Sequence, residues 1–181
     1  MLPAEQDHAG GQYNLGVMYD SGEGVPQNFK EAVKWYRKAA EQGVLDAQFN
    51  LGLIFSKGEK VEQDFKEALK WYRKAAEQGD AQAQHNLGVM YNNGRGVKKD
   101  NQEAVKWYRK AAEQEHADGQ HNLGVMYYNG HGVSQDNKEA MKYFRKAAEQ
   151  GLINAQFSLG VMYYLGHGVL KNEATATNWW A

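Results

Sequence analysis

Asn86-Leu87-Gly88-Val89-Met90-Tyr91 returns 36 residues later as Asn122-Leu123-Gly124-Val125-Met126-Tyr127. The Leu-Gly pair at its centre holds that interval along the chain: Leu15-Gly16, Leu51-Gly52, Leu87-Gly88, Leu123-Gly124 and Leu159-Gly160. A second signature keeps the same phase at Trp35-Tyr36, Trp71-Tyr72, Trp107-Tyr108, Tyr143-Phe144 and Trp179-Trp180. No insertion or deletion interrupts either. Two unrelated signatures in register identify a repeat array, in which a unit buries its apolar face only by stacking on its neighbours.

Each unit reads as two helices. In the second copy the first helix runs from about Asp46 to Lys57, with Gln48, Leu51, Gly52 and Phe55 at helical i, i+3, i+4, i+7 spacing. Gly58 marks its end, as Gly22, Gly94, Gly130 and Gly166 do in the other copies. The second helix opens on a capping residue: Asn28, Asp64, Asp100, Asp136 or Asn172. Glu31, Glu67, Glu103 and Glu139 follow three residues later, which resembles a capping box. Ala32, Tyr36, Ala39 and Ala40 then share one face, and Lys34, Arg37, Lys38 and Glu41 the other. Gly43, Gly79 and Gly151 stop this helix, while Glu115 stands in that place in the third copy. Lys60 replaces the loop glycine found at Gly24, Gly96, Gly132 and Gly168, which predicts a different backbone path there.

A glycine inside the first helix costs about 1 kcal/mol against alanine. Its recurrence in all copies predicts that a bulky ring or a neighbouring helix lies on the backbone, with the aromatic pair as the filler. Core packing is accordingly favoured over an aromatic binding box at Trp35-Tyr36. The predicted units are residues 11–46, 47–82, 83–118, 119–154 and a truncated 155–181 within one solenoid domain, preceded by residues 1–10 as the tail of an earlier repeat. Ala4-Glu5-Gln6 parallels Ala112-Glu113-Gln114, so both ends fall within a unit. The expectation is a piece of a longer array whose open ends stack end to end on one another.

Composition narrows the function classes. Twenty-one basic and 22 acidic residues give a formal charge of −1, interspersed rather than in blocks. That balance argues against nucleic-acid binding and against a polybasic membrane anchor. No apolar run reaches the roughly 20 residues of a membrane span, and the first residues do not form a signal peptide. The compartment is left open. There are no cysteines, hence no disulfide, thiolate metal site or cysteine nucleophile. Gly22-Glu23-Gly24-Val25 lacks the Gly-Lys-Ser/Thr ending of a phosphate loop. The four serines sit in no nucleophile elbow. His85 and His121 are equivalent, as are His131 and His167, but no close His pair or third ligand accompanies them. Neither a catalytic residue, a metal site nor a cofactor is expected.

Positions that vary between copies point to a ligand face. One stripe is Gly10, Asp46, Gln82, Asp118 and Asn154; the next is Tyr13, Phe49, His85, His121 and Phe157. Seven residues on stand Asp20, Ser56, Asn92, Tyr128 and Tyr164, on the same face of the first helix. The candidate ligand-binding residues are His85, Asn86, Asn92, His121, Asn122, Tyr128, Phe157 and Tyr164. Aromatic anchors among Asn and His suit a peptide or protein segment. Burial between units competes as a reading of Tyr13, Phe49 and Phe157, whereas Tyr128 and Tyr164 are expected at the surface. An inter-repeat hydrogen bond competes with a ligand contact at Asn14, Asn50, Asn86 and Asn122, where the last copy has Ser158.

The run Asn-Leu-Gly-Val-Met-Tyr, then Gly-x-Gly-Val, then Ala-Val-Lys-Trp-Tyr-Arg-Lys-Ala-Ala-Glu-Gln resembles the Sel-one-like repeat (SLR) family, relatives of the tetratricopeptide repeats, over residues 4–181. The resemblance implies an all-α fold: antiparallel helix pairs stacked into a right-handed superhelical solenoid, with the first helices lining a concave surface. It implies an adaptor or scaffold, often bacterial, that binds a protein or peptide there. In tetratricopeptide relatives a comparable asparagine clamps the ligand backbone. A cysteine-rich branch is associated with β-lactam binding or hydrolysis, an alternative that the missing cysteines weaken. Low divergence between copies leaves a third reading, a consensus-like scaffold without a native ligand.

Overall fold

The computed structural model describes residues 8–181, and those residues contain ten α-helices and no strand. They are α1 (Ala9–Ser21), α2 (Phe29–Glu41), α3 (Leu45–Lys57), α4 (Phe65–Glu77), α5 (Ala81–Asn93), α6 (Asn101–Glu113), α7 (Ala117–Asn129), α8 (Asn137–Glu149), α9 (Ile153–Leu165) and α10 (Glu173–Trp180). The residues gather into two compact blocks. One runs to Ala83 and includes Arg95–Lys98; the other holds Gln84–Gly94 and Lys99–Ala181. Residues 1–7, read above as part of a preceding repeat, lie outside the described residues.

Consecutive helices pair antiparallel, as three contacts in the first pair show. The Gln42 side-chain amide donates to Gln12 Oε1 at 2.8 Å. Gly16 faces the Tyr36 ring, and Asn28 N–H donates to the Tyr19 carbonyl at 2.9 Å. Residue numbers rise on one helix as they fall on the other. The core of each pair is alanine, leucine and ring: Ala32, Ala39, Ala40, Trp35, Tyr36 and Leu15 are buried in the first.

The helix glycines have the role their recurrence predicts. A Cβ on Gly52 would lie 2.5 Å from the Tyr72 ring, on Gly88 2.6 Å from Tyr108 and on Gly124 2.8 Å from Phe144. The second ring of each aromatic pair is therefore laid on bare backbone, and Trp180 takes that place over Gly160. Trp71 and Tyr72 are both buried, so the aromatic pair is core.

The capping residues are as expected, but the box is only half formed. Asp100 Oδ1 accepts from the N–H groups of Gln102 and Glu103 at 2.9 and 3.0 Å. The reciprocal bond is absent because the Asp100 N–H already donates to the Tyr91 carbonyl at 2.9 Å. Glu103 instead pairs with Lys106 at 3.2 Å. Among the loop positions, Gly132 (φ 73°) lies directly against the Asn101 carbonyl, where a Cβ would collide. Lys60, at the equivalent place, does not have a positive φ. It reaches Asp20 at 2.6 Å and lies over the Phe29 ring. Helix α10 spans 8 residues against 13 in α8.

Candidate functional site

All eight candidate residues lie in the second block, on α5, α7 and α9. The 36-residue period puts His85, His121 and Phe157 at one level of these helices. Repeat follows repeat with a one-residue offset in the polar contacts. Asn122 Nδ2 donates to His85 Nε2 at 2.9 Å, and one repeat later Ser158 Oγ meets His121 Nε2 at 3.3 Å. At Asn122 the side chain makes the inter-repeat hydrogen bond that is one of the two readings of this position.

Burial holds both imidazoles neutral. For His85, loss of solvent depresses the pKa first and the nearby His116 adds to it, while Asp118 and Asn86 oppose. For His121 burial again lowers the value, against Asn122 and Asp118. Their rings pack on the core aromatics, His85 at 6.0 Å from Tyr108 and His121 at 5.4 Å from Phe144. Burial in turn raises the Tyr108 pKa, so the hydroxyl acts as a neutral hydrogen-bonding group.

The aromatic end of the face behaves differently. Phe157 is 62% exposed and Tyr164 47%. Both rings lie against Trp180, at 6.2 and 6.0 Å between centroids, and Trp180 Nε1 donates to the Phe157 carbonyl at 3.2 Å. Tyr128, expected at the surface, is only half exposed. Its hydroxyl bonds His167 Nδ1 at 3.0 Å and its ring lies 5.7 Å from that imidazole. Asn86 and Asn92 are half-buried on α5. Val125, Tyr128, Phe144, Phe157, Ser158, Val161 and Met162 enclose an open apolar pocket of about 210 Å³. The Tyr128 and Ser158 side chains supply its polar edge. Three of its lining residues, Val125, Val161 and Met162, belong to the constant motif, which hides them from a search for variable positions.

His116 is a second residue that the variable stripes did not single out. It caps α7, its Nδ1 accepting the Gly119 N–H at 3.1 Å, and its ring stacks on His85 at 5.2 Å. Among the described residues no group of three or more His, Asp or Glu stands close enough to hold a metal ion. Among the same residues no helix is long and apolar enough to cross a membrane.

The family model of the Sel1 repeat matches residues 9–44, 45–80, 81–116, 117–152 and 153–181. Among solved structures, c5321, a protective antigen present in uropathogenic Escherichia coli strains and displaying an SLR fold, is 45% identical with a TM-score of 0.91. That match covers 97% of this chain and 38% of the antigen, so the chain spans well under half of that relative's length. A Sel1 repeat protein from Oxalobacter formigenes is 40% identical at a TM-score of 0.89, over 99% of this chain and 71% of its own. Helicobacter pylori cysteine rich protein B is 30% identical at a TM-score of 0.56, over 74% of this chain and 96% of its own. No curated protein matches the chain.

Proposed function

The chain belongs to the Sel1 repeat family, generally used for protein–protein interaction, and on that premise we propose that the α5–α7–α9 face binds an extended segment of a partner protein. The observation that carries this reading is the pocket between α7 and α9. It is open, apolar, large enough for a leucine or phenylalanine side chain, and edged by two hydroxyl-bearing residues. An aromatic anchor in such a pocket supplies most of the energy of a peptide complex. Phe157 and Tyr164 are the anchoring surface; His85, Asn86, Asn92, His121, Asn122 and Tyr128 form the polar track beside it, the side that the family resemblance assigns to the concave surface.

The reading is tested by panning a random-peptide display library on the purified chain. Enrichment of peptides sharing one large apolar residue, with binding lost in Phe157→Glu and weakened about tenfold or more in Tyr164→Ala, supports it. Unchanged helicity by circular dichroism must accompany those losses. Peptides that bind both variants as tightly as the original, or no enrichment, would refute it. The β-lactam alternative rests on cysteine-rich relatives, and this chain has no cysteine.

A further inference from the structure

The open pocket between α7 and α9 holds about 210 Å³, more than the ~150 Å³ of a cavity that takes one benzene ring. That volume suits a bicyclic ring better than a phenyl or isobutyl group. Val125, Phe144, Phe157, Val161 and Met162 give the lining its apolar character. The two remaining lining residues, Tyr128 and Ser158, have hydroxyls that are already engaged. Ser158 Oγ has one proton and two lone pairs. It donates the proton to the Asn154 carbonyl at 2.9 Å. The contact with His121 Nε2 at 3.3 Å therefore runs the other way, the neutral imidazole donating and Ser158 accepting. One Ser158 lone pair is left. The Tyr128 hydroxyl is held by His167 Nδ1 at 3.0 Å. Ser158 thus offers an incoming group an acceptor and no donor.

We propose that this pocket selects the indole of a tryptophan on an otherwise uncharged partner segment, with the indole N–H donating to Ser158 Oγ. The inference rests on the binding reading above and deepens it to the identity of the anchor. Indole is a donor and never an acceptor, so its one polar group matches the lone pair on offer. Phenylalanine or leucine would leave that lone pair without a partner. Tyrosine would bring an oxygen whose own lone pairs find no donor on Ser158. The exposed Phe157 ring can meet the indole edge to face or offset, and Met162 adds a thioether beside it. Ion pairing contributes little to this face. Asp118 is the only Asp, Glu, Lys or Arg on α5, α7 and α9. A highly charged segment would lose hydration there and gain no ion pairs in return, so the anchor has to supply the affinity.

The test needs no peptide. Indole and benzofuran share one bicyclic shape, and benzofuran has an ether oxygen in place of the N–H. Each is titrated into the intact, isotopically labelled chain while the backbone amides of Val125, Ser158, Val161 and Met162 are followed. Both should shift these amides, with indole binding roughly fivefold more tightly, the contribution of one neutral hydrogen bond. In Ser158→Ala, with helicity unchanged, the two should bind alike. Equal affinities in the original chain, a preference that survives Ser158→Ala, or no shift of these amides by either ring overturns the inference. Those results leave the peptide-binding reading standing, because the display library decides it separately. Enriched peptides that share tryptophan, and bind equally at low and high salt, support both. Peptides that share leucine or phenylalanine without tryptophan keep the reading and overturn the anchor. No enrichment overturns the reading itself.

Discussion

Tyr72 over Gly52 represents the residue-scale logic of the whole chain. Both are buried, and the ring occupies the space of the missing Cβ. Gly52→Ala should therefore cost about 1–3 kcal/mol by overpacking, more than the ~1 kcal/mol that alanine gains in helix propensity. A lower urea midpoint with an unchanged slope is the expected result. Glu115 is the converse case. It takes φ 61° in the place where Gly43, Gly79 and Gly151 take the same left-handed conformation. Glu115→Gly should raise stability by about 1 kcal/mol, read as an upward shift of the calorimetric midpoint. The glycine–ring contacts were legible because glycine and ring recur with one period. At the candidate face the sequence conveyed less. His85 and His121 were visible as variable positions, but their hydrogen bonds cross from one repeat to the next at 37 residues, and only side-chain geometry reveals which partner is met.

At the scale of the element, the second helix of each pair starts on a side-chain cap, from Asn28, Asp64, Asp100, Asp136 or Asn172. Asp100 caps two N–H groups of α6, so Asp100→Ala should lose about 1 kcal/mol. The cap backbone N–H spent on the Tyr91 carbonyl explains why the expected capping box is incomplete. A second polar device ties the pairs. Gln120 is buried, donates to the Ala112 carbonyl at 3.4 Å and accepts from Gln150 at 2.8 Å. Gln120→Ala strands both partners and should cost about 1–3 kcal/mol in urea denaturation, the penalty of an unsatisfied buried group. Gln48 was recognised on the core stripe, yet its Gln78 partner was not, because Gln78 ends a run of charged residues that reads as surface. First-helix caps were illegible for a related reason. His8, Val44, Asp80, His116 and Leu152 mix imidazole, aliphatic and carboxylate side chains, so no single residue class recurs to mark them.

Across the molecule, repetition and variation divide the work. The constant residues build helix pairs, and the helix packing leaves the variable ones on α5, α7 and α9 within one block. The fold was almost wholly readable, since a period of 36 residues carries it. The pocket was not, because constant Val125, Val161 and Met162 line it together with variable Phe157 and Tyr128. Under the proposed binding role, nitrocefin should stay unhydrolysed above the buffer rate. The binding account is tested most directly by titrating a display-selected peptide into the isotopically labelled 20.4 kDa chain and mapping backbone amide shifts. The predicted result is a cluster of perturbations at His121, Val125, Tyr128, Phe157, Val161 and Tyr164. Perturbations confined to the Lys and Arg positions of α6 and α8 would contradict it.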